Sequence, residues 1–257
     1  MRVAVLQFVS ALDSATNRTR IGERLEALPG DLDLVVLPEG AMHDFGEPGH
    51  DLSAVAEALD GPFVTMLATH ARRLGATIVA GMFESTDTLP FNTLVVIGPD
   101  GSRRDTYRKV HLYDSFGYRE SDRLAPGDVT PVVIDVAGMC VGLMTCYDLR
   151  FPELARALVD DGADVLLVPA AWVAGQHKLH HWQTLLAARA IENTVFVVAP
   201  AQGGDRYTGH SLALDPMGLV LGEAGADDET IVVEIDRHEI EAVREVNPSL
   251  SNRRMPT

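Results

Sequence analysis

Short apolar runs that stop abruptly at a proline, acid, thiol or amide recur along this chain, with amphipathic stretches of helical period between them. The runs predict strands over residues 3–8, 34–37, 77–83, 92–97, 132–136, 140–145, 165–169, 195–199, 211–214 and 231–235. The 3.6-residue patterns predict helices over 17–28, 53–59, 62–74, 152–160, 179–192 and 237–245. Pro62 and Gly75 supply a start and stop for the third of these. Strands alternating with helices make an α/β chain, and the G-P-D-G link at 98–101 reads as a hairpin, so the pairing should be mixed. This many strands exceed one comfortable twisted sheet, which favours two sheets packed together with helices outside. No repeat or long Pro/Gly/Ser-rich linker divides the sequence, so residues 1–257 are expected to form one domain.

Composition narrows the class without changing that picture. Hydrophobic residues at 46% and charged residues at 23% fit a folded globular chain rather than a disordered one. No apolar run approaches the roughly 20 residues that span a bilayer. The opening M-R-V-A-V-L-Q-F-V-S has too short an apolar run for a signal peptide, with Asp13 where a cleavage site would need small residues. It reads as a first strand, and the chain is expected in the cytoplasm. A net charge of −16 argues against nucleic-acid and anionic-membrane partners. Cys140 and Cys146 share one extended run, which places them about 20 Å apart, whereas a disulfide needs Cα atoms within about 7 Å. Both should be free thiols, as in a reducing compartment.

The polar stops draw attention because open α/β sheets bind ligands beyond the carboxyl ends of their strands. Cysteine is more often a core residue than a reactive one, and Cys140, between Met139 and Val141, fits that reading. Cys146 fits it less well. It stands where G-L-M-T gives way to Y-D-L-R-F-P-E, before a helix opening at Pro152. Its thiol needs a proton acceptor, and no histidine stands at a matching strand end. Glu39, straight after L-V-V-L-P, is a carboxylate that the strand should draw inward. Lys109, in T-Y-R-K-V-H-L-Y-D, is by itself part of a surface strand or an anion patch, or, if buried, an electrostatic clamp for a carbonyl oxygen gaining charge.

Taken together, L-P-E-G at 37–40, Y-R-K-V-H-L-Y-D at 107–114 and T-C-Y-D-L-R-F-P-E at 145–153 resemble the carbon–nitrogen hydrolase (nitrilase) superfamily. The similarity continues in segments 119–128, 181–193 and 209–218, and is closest to the small amidases of the ω-amidase and deaminated-glutathione amidase group. The resemblance implies a four-layer α-β-β-α sandwich with two mixed β-sheets, assembled as a homodimer or larger homo-oligomer, with no metal or organic cofactor. It implies Cys146 as nucleophile, Glu39 as general base and Lys109 as the cation beside the oxyanion. Glu120 would orient lysine and substrate, and the Tyr147 backbone N–H would complete the oxyanion site. The substrate would be a small, carboxylate-bearing amide, cleaved through a thioester with release of ammonia or an amine. Nitriles and N-carbamoyl amino acids are alternatives on the same triad, and a catalytically inactive binding protein is a remote one.

Other residues keep two readings open. Arg150 either anchors structure through Asp148 or a carbonyl, or reads a substrate carboxylate, a use that suits guanidinium geometry. Trp172 and Phe45 are either core aromatics or walls of an acyl pocket. His177 and His181 would share a helix face, but H-K-L-H-H has lysine where a zinc protease motif needs glutamate. The family match instead makes His181 part of a helix start at the mouth of the site. The tail from 246 to 257 could reach across a dimer. Isochorismatase-like cysteine hydrolases, with an Asp–Lys–Cys set on one parallel sheet, are the rival enzyme class.

Overall fold

In the computed structural model, which describes residues 1–255, the strand runs assemble into two six-stranded sheets packed face to face. The first half of the chain supplies β1 (Arg2–Gln7), α1 (Ser14–Glu26), β2 (Leu34–Val36), α2 (Pro62–Leu74), β3 (Thr77–Glu84), β4 (Phe91–Ile97) and β5 (Arg103–Arg108). A small hairpin of β6 (Asp114–Ser115) and β7 (Tyr118–Arg119) leads into β8 (Val133–Val136), β9 (Met139–Leu143), α3 (Pro152–Asp160) and β10 (Val165–Leu167). The chain continues with α4 (Lys178–Asn193), β11 (Phe196–Ala199), β12 (Leu212–Leu214), β13 (Val220–Glu223) and β14 (Glu229–Glu234). It closes with α5 (Arg237–Val246) and the short α6 (Ser249–Asn252).

One sheet runs β14-β1-β2-β3-β4-β5 and the other β13-β12-β11-β10-β9-β8. Each has three parallel strands at its centre, β1-β2-β3 and β9-β10-β11, flanked by antiparallel ones. The two-residue side-chain period divides the core. Val3, Val5, Leu34, Val36 and Val79 join the cluster that holds the second sheet. Ala4, Leu6, Val35 and Ile78 face the other way, onto Ile21, Leu25, Phe63 and Leu67 of α1 and α2. Leu154, Leu158, Leu186 and Ala190 of α3 and α4 cover the outer face of the second sheet. The layers are therefore α-β-β-α, and the single parallel sheet of the rival enzyme class is absent from the described residues.

Several boundaries differ from expectation, each for a local reason. Residues 53–59 do not form a helix. There Glu57 N–H donates to Phe83 O and Ser85 N–H to Glu57 O, tying the segment to the end of β3. The Glu57 carboxylate instead accepts the Phe63 N–H at 2.7 Å, at the start of α2. The strand β5 carries no apolar run, since five of its six residues are polar and only Tyr107 is buried. The strand β13 is an exposed edge. In the tail, Arg253 pairs with Asp160 of the same chain at 2.8 Å, and Pro256 and Thr257 lie outside the described residues. Among those described, no helix is long and apolar enough to cross a membrane.

Candidate active site

Four strand ends converge between the sheets. In the first sheet, the chain beyond β2 carries Glu39 and the chain beyond β5 carries Lys109. In the second, β9 leads to Cys146 and β10 to Ala171. The site therefore exists only where both sheets dock.

Glu39 is buried and its carboxylate is fully engaged. Oε1 accepts from Lys109 Nζ at 2.9 Å and Asn92 Nδ2 at 2.7 Å, and Oε2 accepts from the Ala171 N–H at 2.6 Å. Lys109, also buried, donates a second bond to Glu120 Oε2 at 2.9 Å. Glu120 opens a 3-10 turn (Glu120–Asp122) and accepts the Tyr113 N–H at 2.6 Å and Asn92 Nδ2 at 3.1 Å. One ammonium is thus held between two carboxylates that Asn92 bridges.

Burial opposes charge on Lys109, but the Glu120 and Glu39 carboxylates prevail and hold its ammonium well above the ordinary lysine range. Glu120 is pushed up by burial and by the Glu39 charge, against the pull of Lys109. Burial raises the Cys146 thiol well above its ordinary range, and the charge of Glu39 and a hydrogen bond to it add to the effect, with Lys109 opposing. The raised pKa keeps the resting sulfur a thiol rather than a thiolate.

The backbone at Cys146 is strained. The residue opens a 3-10 turn (Cys146–Arg150) at φ +48°, a left-handed conformation that few side chains adopt. Its N–H donates to Pro169 O at 3.0 Å. Fully buried Asp148 fastens the turn. Its Oδ2 accepts Tyr107 Oη at 2.6 Å and the Thr145 N–H at 2.9 Å, and its Oδ1 accepts the His111 N–H at 3.0 Å. His111 Nδ1 lies 2.7 Å from the same Oδ1. These bonds tie the Cys146 turn to the β5 end that carries Lys109. Glu39 is positioned as tightly: a Cβ on Gly81 of β3 would stand 2.6 Å from Glu39 Cα and 2.7 Å from Pro38 O.

All the residues expected at the site line one cavity of about 920 Å³. Arg150 is not tied to Asp148. Its guanidinium lies over Trp172 at 4.9 Å and over Tyr147 at 5.9 Å, Nη2 is 3.5 Å from His181 Nδ1, and Nε is buried without a partner. Phe45 meets Phe83 edge-on at 4.9 Å, so it serves core and cavity together. Trp172 Nε1 donates to Lys178 O at 2.9 Å. His181 is lowered by burial and by cationic neighbours led by Arg150. The shared helix face of His177 and His181 is not realised, because α4 begins at Lys178 and His177 precedes it at φ +63°. Among the described residues no group of three or more His, Cys, Asp or Glu is placed to hold a metal.

Sequence reasoning missed Asn92 and Lys178. Asn92 read only as the first residue of a strand, and Lys178 stood among histidines that drew the attention.

Known proteins give the same frame. The family model described as carbon–nitrogen hydrolase matches residues 2–245. A protein named deaminated glutathione amidase from Escherichia coli O157:H7 is 40% identical over 235 residues, covering 89% of this chain and 87% of its own. A carbon–nitrogen hydrolase superfamily protein from Xanthomonas campestris, whose crystal structure holds an arsenic adduct in the active site, superimposes with a TM-score of 0.91. It is 32% identical and covers 100% of this chain and 98% of its own. An amidase variant from Nesterenkonia sp. AN1, with acrylamide added at its active-site cysteine, superimposes at 0.82. It is 26% identical and covers 97% of this chain and 99% of its own.

Proposed function

This chain belongs to the carbon–nitrogen hydrolase family, and on that footing we propose that it hydrolyses a small, carboxylate-bearing amide through a thioester on Cys146. The observation that carries the reading is one buried carboxylate, Glu39, that accepts from the Lys109 ammonium at 2.9 Å and lines the same open cavity as the Cys146 thiol.

In the first step Sγ attacks the amide carbon while its proton passes to Glu39. The raised pKa of the thiol favours transfer during attack over attack by a preformed thiolate. The carbonyl oxygen takes up negative charge, stabilised by Lys109 and the Tyr147 N–H. The first N–H groups of a helical turn such as Cys146–Arg150 lack acceptors within the turn. Glu39 then gives its proton to the nitrogen, the C–N bond breaks, and ammonia or an amine leaves a thioester behind. A water that loses its proton to Glu39 attacks the thioester, releasing the acid and restoring the thiol. Glu120 holds Lys109 throughout and needs no proton of its own.

Arg150 is the reader of the substrate carboxylate, with Trp172, Phe45 and His181 shaping the acyl pocket. Its lack of a carboxylate partner supports this over the anchor reading. The amidase names of the relatives favour amides over nitriles or N-carbamoyl compounds. Two free cysteines favour a reducing, cytoplasmic setting. Exposed Met217, Leu219 and Ile191 offer a face for a homodimer. A panel of matched amides, nitriles and N-carbamoyl acids, read by ammonia release, tests the assignment. Acid-bearing amides should be turned over fastest, and fast nitrile turnover beside inert amides would reverse the ranking. No release from any of them would leave an inactive binding protein.

A further inference from the structure

Lys178 is a cation that the mechanism above leaves unused. It opens α4 and is only 8% exposed, yet it lines the same cavity as Cys146. Nζ donates to Tyr113 Oη at 2.9 Å and otherwise meets only rings, with the centres of Phe116 at 4.0 Å, Tyr113 at 5.0 Å and Trp172 at 5.9 Å. Arg150 lies 4.9 Å from the same Trp172 ring. Neither cation has a carboxylate within ion-pair distance among the described residues. At the cavity rim the contrast is plain, because Arg206 pairs with Asp44 at 3.2 Å.

Two uncompensated cations facing one pocket are costly in a chain of net charge −16, where carboxylates are plentiful. The cost is visible in the site. Burial and the Arg150 charge push Lys178 below the ordinary lysine range. Aromatic faces soften a positive charge without neutralising it. An anionic ligand group would meet a planar fork from Arg150 and a point charge from Lys178, with the Tyr113 hydroxyl fixing where the ammonium sits.

We propose that Lys178 joins Arg150 in a two-cation clamp for the carboxylate at the end of the acyl chain remote from the scissile amide, which makes Lys178 a specificity-determining residue. The proposal rests on the amidase reading, and its test separates the two. The monoamide of a four- or five-carbon dicarboxylic acid is compared with the corresponding diamide, which has the same length and no charge. In Lys178→Met the ratio of kcat/KM for acid over neutral amide should fall on the order of tenfold to a hundredfold, mainly through KM, as expected for loss of a charged hydrogen bond. Lys178→Arg, which keeps the charge, should retain most of the ratio, and Lys178→Gln, which removes the charge but keeps a polar end, gives the same comparison as the Met variant if that one folds poorly. An unchanged ratio in Lys178→Met, or a ratio lost equally in Lys178→Arg, overturns the clamp while leaving the amidase reading in place. Release of ammonia from neither amide by the unaltered protein overturns the amidase reading and the clamp with it.

Discussion

Cys146 occupies its place against two penalties. A non-glycine residue at φ +48° costs about 1–3 kcal/mol, and its buried thiol resists ionisation. Both make sense if the sulfur must point at a bound carbonyl and lose its proton only during attack. Glu39→Gln removes the acceptor while Lys109 keeps Glu120, so kcat should fall about 10²–10⁴-fold. The charges also set the pH response. Glu120 titrates above the ordinary glutamate range, so kcat/KM should decline on the acid side as pH falls through that raised value, when Glu120 gains a proton and loosens its hold on Lys109. Glu120→Gln should remove that limb from the profile, and an unmoved limb would assign it to another group. Because Lys109 is raised, its contribution to stability is fully present below the unfolded lysine pKa and is lost as pH rises through the higher folded value. It should therefore cause no alkaline loss of activity near neutrality. Glu39, Lys109 and Cys146 were legible as residues because each follows a run of distinctive sequence. Asn92 was not, since its meaning lies in a bridge between Glu39 and Glu120 that no local pattern encodes.

At the scale of elements, strand ends do the positioning, and neighbouring strands enforce it. Gly81 lets β3 pass so close to Glu39 that Gly81→Ala must displace backbone rather than a flexible side chain. A shift of about 1 Å there should cost on the order of 100-fold in kcat/KM, and wild-type activity in this variant would show that the Glu39 turn is free to adapt. Asp148 couples the Cys146 turn to the end of β5. Its replacement by alanine strands the donors of Tyr107, Thr145 and His111, and at about 1–3 kcal/mol for each buried donor left unpaired should cost several kcal/mol. Thermal denaturation should register this as a drop on the order of 10 °C. The buried parallel strands and α2 and α3 were readable because apolar continuity and proline starts are local signals. The exposed strands β5 and β13 and the turns at 53–59 were not, because their form is set by the strands beside them.

Over the whole molecule, the site is a property of the docked pair of sheets. Glu39 and Lys109 come from one sheet, Cys146 and the Ala171 N–H from the other, and the core between them is shared. Both tryptophans, Trp172 and Trp182, lie 5.3 Å apart beside the cavity. Activity and tryptophan fluorescence should therefore be lost together in urea, and separate midpoints would mean that the sheets come apart in stages. The most direct test of the central claim is intact-mass spectrometry of the protein mixed with an acid-bearing amide and quenched during turnover, with hydroxylamine as a competing nucleophile. The account predicts a mass increase of one acyl group on the unaltered protein, its absence in Cys146→Ser, and a hydroxamate product when hydroxylamine is present. Ammonia release with neither adduct nor hydroxamate, or an adduct that persists in Cys146→Ser, would contradict a thioester on Cys146.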